Sequence, residues 1–146
     1  MKLKPLNEQV MVITGASSGI GLTTARMAAQ AGVRLVLAAR SEDALRQLTQ
    51  EIVDGGGQAV FAVTDVSREE DVQQLAQLAL ATFGTFDTWV NNAGVGMYGR
   101  LEEVSIEDMR RLFDINFWGL VYGSRVAAAY LKGQGGALIN LGSVAS

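Results

Sequence analysis

The stretch Val10 to Gly21, read VMVITGASSGIG, constrains this chain more than any other part of it. Val10 to Thr14 is a short apolar, partly β-branched run of the kind that forms a buried strand. A glycine-rich turn follows, Gly15-Ala16-Ser17-Ser18-Gly19-Ile20-Gly21, and then a helix-forming run from Leu22 to Ala31. Strand, glycine turn and helix in that order make a phosphate cradle. The glycines let backbone approach a pyrophosphate closely, and the helix tip offers free N–H groups and a positive dipole end. The Gly-x-x-x-Gly-x-Gly spacing differs from the commoner Gly-x-Gly-x-x-Gly fingerprint, so the turn alone equally fits an ordinary strand-to-helix connection.

The chain's 146 residues suit one domain, large enough to bury roughly two-thirds of its unfolded surface. A hydrophobic content of 49% and a mean hydropathy of +0.20 match the continuously apolar strands of a parallel sheet covered on both faces. No window reaches 18 consecutive apolar residues and no cleavable leader pattern opens the chain, which reads as soluble and cytoplasmic, with no membrane partner. The absence of cysteine and histidine removes disulfides, thiolate metal sites, the commonest metal ligand and the usual general base; no metal site is expected. A net charge of −3 gives no footprint for nucleic acid.

Past a surface lead-in, Met1 to Gln9, strands and helices alternate. Gly32 stands where the first helix should end, and Val33 to Ala39 reads as a second strand. Ser41, with Glu42 and Asp43 behind it, opens a second helix that runs to the Gly55-Gly56-Gly57 break. Ala59 to Val63 is a third strand, closed by Thr64 and Asp65. Ser67-Arg68-Glu69-Glu70 has the form of a capping box for a third helix, with Val72, Leu75, Ala76, Ala79 and Phe83 on one face and Gly84 at its end. Phe86 to Val90 is a fourth strand, followed by Asn91-Asn92-Ala93-Gly94. Ser105 caps a long helix from Ile106 to about Lys132, and Ala137 to Leu141 is a fifth strand. This alternation predicts an α/β domain over residues 10–146, an open parallel sheet with right-handed crossovers.

In such sheets the ligand lies beyond the carboxyl ends of the strands, so the residues just after each strand matter most. After the second strand comes Arg40, where an acidic residue would select NAD and an arginine suits a 2′-phosphate. An Arg–phosphate contact of about 1.5–3 kcal/mol corresponds to about ten- to 150-fold preference for NADP over NAD. A solvated loop cation is the alternative. After the third strand, Asp65 can accept from an adenine amino group or simply form a turn. After the fourth, Asn91 to Gly94 offers small polar residues beside a cofactor, or a plain turn. After the fifth stands Ser143. Asn116 shares a helical stripe with Leu112 and Leu120, between Phe113 and Phe117, and a buried amide there needs partners; it caps a kink, or holds a water or a catalytic side chain.

Thr14 to Gly21, Asp65-Val66, Asn91-Asn92-Ala93-Gly94, Asn116 in Asn-Phe-Trp-Gly, and Ile139-Asn140-Leu141-Gly142-Ser143 occur in order and in register. Together they closely resemble the classical short-chain dehydrogenase/reductase family, over essentially all of Val10 to Ser146. The resemblance implies a doubly wound, Rossmann-type parallel sheet with strands in the order 3-2-1-4-5, and an NAD(P)-dependent oxidoreductase that interconverts an alcohol and a carbonyl. It places Gly15, Gly19 and Gly21 along the pyrophosphate, with Ser18 and Ile20 in the same turn. Ser17 and Arg40 would face the adenosine 2′-phosphate, Asp65 with Val66 the adenine, and Asn91 the adenosine ribose, beside Ala93 and Gly94. Asn116 would hold the water of a proton relay, and Ser143 would hydrogen-bond the substrate oxygen. NADPH is the expected cofactor, NAD the lesser one, and a small carbonyl or alcohol the substrate.

The departure from the family is equally plain. Its members carry a Tyr-x-x-x-Lys pair on the helix after the fifth strand. Here Tyr98 leads to Glu102, Tyr122 to Val126 and Tyr130 to Gln134. The chain therefore reads as the N-terminal part of a longer enzyme, lacking the family's last strands and expected to be inactive by itself; a dinucleotide-binding module without catalysis is the competing class. The long helix is apolar nearly all round, which suits either a homo-oligomer interface or cover by further chain.

Overall fold

The structure, a computed structural model, describes residues 3–143. A single 3₁₀ turn, Leu6–Glu8, precedes β1 (Val10–Thr14), α1 (Gly19–Gln30), β2 (Arg34–Ala39), α2 (Glu42–Asp54), β3 (Ala59–Val63) and α3 (Glu69–Phe83). Then come β4 (Thr88–Asn91), α4 (Ile106–Phe113), a π-turn (Asp114–Trp118), α5 (Gly119–Gln134) and β5 (Ala137–Asn140). All strand pairs are parallel, in the order β3-β2-β1-β4-β5. That is the expected topology. The direction of winding reverses between β1 and β4, which opens a crevice beyond their carboxyl ends.

Side-chain alternation along the central strands builds a core on each face. Met11 and Ile13 of β1 point with Leu35 and Leu37 of β2 toward α1 and α2, where Ala25, Leu45, Leu48 and Ile52 meet them. Val10 and Val12 point with Val36, Ala38 and Trp89 toward α3 and α5, against Val72, Leu75, Ala79 and Ala127. A strand buried on both faces can spare no polar position, which is why β1 reads as an uninterrupted apolar run. Each large side chain so buried contributes about 1.5–3 kcal/mol by leaving water.

The lead-in is tied down more firmly than a surface tail. The buried Asp87 carboxylate accepts from the Val10 N–H at 2.9 Å and pairs with the Lys4 ammonium at 2.6 Å. Gln9 is buried as well, its side-chain carbonyl accepting from the Thr88 hydroxyl at 2.7 Å. These bonds close the amino ends of β1 and β4.

Several local expectations need correcting. The Ser67–Glu70 capping box does not form: α3 begins at Glu69 without a side-chain cap, and the Ser67 hydroxyl donates to Asp65 instead. Ser41 occupies the N-cap of α2 but makes no capping hydrogen bond. Ser105 does cap, accepting from the Asp108 N–H at 3.0 Å. The helix from Ile106 runs to Gln134 and is interrupted by the π-turn centred on Asn116. Its buried stripe is Ile115, Gly119, Gly123, Ala127 and Leu131, whereas Phe113, Phe117 and Trp118 are 62%, 51% and 45% exposed. Among the described residues no helix is long and apolar enough to cross a membrane.

Small residues let α5 approach the sheet closely. A Cβ on Gly123 would lie 2.0 Å from Asn91 Oδ1, whereas one on Gly133 would meet nothing within 4 Å. Gly133→Ala should therefore gain up to about 1 kcal/mol from helix propensity, and Gly123→Ala should lose about 2 kcal/mol or more through overpacking. Urea unfolding of the two variants checks the opposed signs, and equal effects would show that α5 does not sit this close.

Candidate functional site

The crevice over the β1–β4 seam is a cavity of about 360 Å³. Gly15, Ser17, Ser18, Gly19 and Ile20 form one wall, Arg40, Asp65 and Val66 another, and Ala93 and Gly94 the floor on the β4 side, with Thr64, Asn92, Val95, Ile115 and Leu141 between them.

Its floor is built by polar groups at the ends of two strands. The Thr14 hydroxyl accepts from the N–H groups of Asn92 and Ala93, at 3.0 and 3.1 Å, and donates to the Val90 carbonyl at 3.3 Å. The Asn92 amide returns the link, donating to the carbonyls of Thr14 and Gly15 at 2.9 and 3.1 Å. These two side chains lock the glycine turn to the segment after β4. Neither stands out in the sequence: Thr14 looks like an ordinary strand residue, and Asn92 is indistinguishable from its neighbour.

The lock works only because the turn carries no side chains at its crossing points. Gly15 has φ +67°, and a Cβ there would fall 2.8 Å from the Ala93 Cα. A Cβ on Gly21 would fall 2.2 Å from the Gly15 carbonyl oxygen, so Gly21 lets α1 pack onto the turn and is not itself a wall of the crevice. Helix α1 starts at Gly19, three residues earlier than its apolar pattern suggests. Gly19, Ile20 and Gly21 therefore form its first turn, whose N–H groups have no intrahelical acceptor. Ser18 stands at the N-cap without capping them. A bare helix tip beside a glycine turn is a ready anion site, and it faces the crevice.

Asp65 holds its own loop together. One carboxylate oxygen accepts from the Ser67 N–H at 3.0 Å and from the Ser67 hydroxyl at 2.7 Å, and the Asp65 N–H donates to Asp71 at 3.0 Å. Partial burial works to raise the Asp65 pKa. The two Ser67 hydrogen bonds, aided by the positive charges of Arg40 and Arg111, outweigh it and hold the carboxyl below its ordinary range. Turn former and crevice wall are thus the same residue.

Asn91 lies elsewhere. Its side chain is buried on the α5 side of the sheet, where Oδ1 accepts from the Trp89 indole at 2.8 Å. Its Nδ2 donates to Asn140 at 2.8 Å and to the Ser124 hydroxyl at 3.1 Å. The expected ribose contact does not hold for this side chain; Asn92 takes the place beside the crevice. Asn116 also has its amide engaged, accepting from the Val95 N–H and donating to the Val95 carbonyl, both at 2.8 Å. Helical backbone cannot spare a residue to reach that loop, and the π-turn supplies the extra one. Ser143 lies three residues past β5, at the carboxyl side of the sheet.

A family model for short chain dehydrogenase matches residues 9–146. The chain belongs to the short-chain dehydrogenase family. It is 56% identical over 146 residues to the uncharacterized oxidoreductase YxnA of Bacillus subtilis, covering 99% of this chain and 41% of that one. A short-chain dehydrogenase/reductase from Burkholderia phymatum, solved in complex with NAD, superposes with a TM-score of 0.94 at 39% identity, over 98% of this chain and 52% of that one. An alcohol dehydrogenase from Thermococcus sibiricus, complexed with 5-hydroxy-NADP, superposes at 0.86 with 37% identity, over 90% and 57%. The chain thus spans about half the length of the relatives it matches. It carries the family's nucleotide-binding fold.

Replacing Asp65 by alanine removes both Ser67 bonds and should cost about 1–2 kcal/mol at neutral pH. Because the folded pKa is depressed, this contribution is complete above the unfolded carboxylate value of about 3.9 and is lost as pH falls through the lower folded value. Parent and Asp65→Ala should differ by a constant amount from pH 7 to about 5 and converge below about 4. A gap that persists unchanged at pH 3 in thermal unfolding would remove the carboxylate from the account.

Proposed function

We propose that the crevice binds a nicotinamide dinucleotide, with NADP preferred over NAD, and that the full-length protein is an oxidoreductase interconverting an alcohol and a carbonyl. The observation that carries the reading is the uncapped tip of α1, with Gly15 and Gly21 positioned where any Cβ would collide with backbone. This cradle fits a diphosphate: Gly15, Ser17, Ser18, Gly19 and Ile20 would hold it through backbone N–H groups and hydroxyls. Arg40 would face the adenosine 2′-phosphate, Asp65 and Val66 the adenine, and Ala93 and Gly94 the path toward the nicotinamide.

When bound, such a dinucleotide supplies hydride transfer. The chain's own part is to orient and to exclude. Asn116, through its two bonds to Val95, would hold the loop that borders the nicotinamide end, and would hold the water of a proton relay. Ser143 would donate to the substrate oxygen. A tyrosine–lysine pair is not among residues 1–146, and histidine is absent, so proton transfer near pH 7 is assigned to residues of the full-length protein. The exposed Phe113, Phe117 and Trp118 would pair two copies of the protein, and the location would be cytoplasmic.

In the full-length protein, NADPH should bind about ten- to 150-fold more tightly than NADH, and Arg40→Asp should abolish or invert that order. Isothermal titration measures it, and a preference untouched by the substitution would take Arg40 out of the site. Residues 1–146 by themselves should give no NADPH-dependent carbonyl turnover where the full-length protein does; a clear rate from them would refute the missing-base argument.

A further inference from the structure

Among the described residues that line the crevice, only Arg40 and Asp65 carry charge. They are opposite in sign and close enough to interact, so Asp65 opposes part of the attraction that Arg40 would exert on a doubly charged phosphate. Ile115 lines the same end together with Thr64, Asp65 and Val66. Arg111 of α4 stands about one turn ahead of Ile115 in the π-turn, so both residues lie on one side of the continuous helix. Neither Arg40 nor Arg111 lies within ion-pair distance of a carboxylate among the described residues, whereas Asp71, the other anion at this loop, pairs with Arg68 at 3.6 Å.

We propose that Arg111 is a second specificity-determining residue for the 2′-phosphate: one turn before Ile115, it offsets the Asp65 carboxylate and leaves the charge of Arg40 to the phosphate. The inference rests on the NADP reading given above. Its physical basis is charge arithmetic at one mouth: with Arg111 counted, cations outnumber anions by one, and without it they balance. Arg111 is exposed, so its contribution is screened by salt and modest in size. It would act on the phosphorylated nucleotide far more than on its unphosphorylated counterpart, because the extra interaction scales with ligand charge.

The test uses the full-length protein and two probes, adenosine 2′,5′-bisphosphate and adenosine 5′-monophosphate, titrated calorimetrically at low salt. The parent should prefer the bisphosphate. Arg111→Ala should lower that preference about three- to tenfold, Arg111→Lys should keep most of it, and adding Asp65→Asn to Arg111→Ala should restore it, because the anion being offset is then gone. Raising the salt to 0.5 M should shrink the Arg111 effect. If the parent prefers the bisphosphate and Arg111→Ala leaves the ratio unchanged, Arg111 has no part in selection while the NADP reading stands. If the parent shows no preference at all, that reading fails and this inference with it. Coincident thermal unfolding of parent and Arg111→Ala separates a binding effect from a folding one.

Discussion

One hydroxyl holds the crevice open in a fixed shape. Thr14 ends β1, and its Oγ1 takes two successive N–H groups just past β4 while giving its own proton to the Val90 carbonyl. At this point the winding of the sheet reverses and the two neighbouring chains diverge, so their outermost backbone groups lose their ladder partners. Buried N–H groups left without acceptors cost about 1–3 kcal/mol each. Threonine satisfies them without leaving the strand, because its β-branched side chain suits extended backbone. With Asn92 pointing back to the carbonyls of Thr14 and Gly15, the glycine turn and the Ala93–Gly94 segment become one rigid floor.

The same seam is closed at its other end by Asp87, Lys4, Gln9 and Thr88. Between these polar termini the strands are wholly apolar, and the helices come close only where residues are small. Gly119 and Gly123 bring α5 against Val66 and Asn91. Asn91 is then buried, and its amide must be matched inside the protein. Trp89, Ser124 and Asn140 do this, and the Asn140 bond fixes the end of β5 relative to that of β4. A structural polar cluster under α5 thus ties the ends of β4 and β5 together, while the crevice lies beyond the carboxyl ends of the strands.

The fold was legible from the chain because its signals repeat. Apolar strands of similar length, separated by helices with a single wet face, leave few ways to arrange a parallel sheet. The glycine turn was legible for a different reason, since only close approach or a left-handed φ explains glycines at such spacing, and both occur. The failures are local and share one cause: choices between adjacent polar residues depend on register. Asn91 and Asn92 look alike on paper, yet β4 runs to Asn91, and strand alternation puts Asn91 on the face of Trp89 and turns Asn92 the other way. Ending the strand at Val90 hides this. Ser67 has two available partners, an N–H three residues on and a carboxylate two residues back, and Asp65 wins as the charged acceptor. Asn116 marks the π-turn in the sequence as an amide on an apolar stripe, but its partner, Val95, lies twenty-one residues away and leaves no local sign.

The proposed nucleotide cradle draws on groups that lie close together in the chain. Diphosphate binding asks for backbone N–H groups and the absence of side chains, both of which β1, its turn and α1 supply locally. On the proposed reading, discrimination at the adenosine end would rest on charge, carried by Arg40 and Asp65 after β2 and β3 and by Arg111 on α4. Arg40 faces solvent and can change without unfolding the sheet, whereas Thr64 and Val66, on either side of Asp65, are buried. Proton transfer asks for a group of tuned pKa held at the substrate, and the described residues place only hydrogen-bonding side chains, Asn116 and Ser143, on that side. On the proposed reading, cofactor binding and cofactor choice would draw on separate parts of the sequence, joined at the ends of β1 and β4 by Thr14 and Asn92.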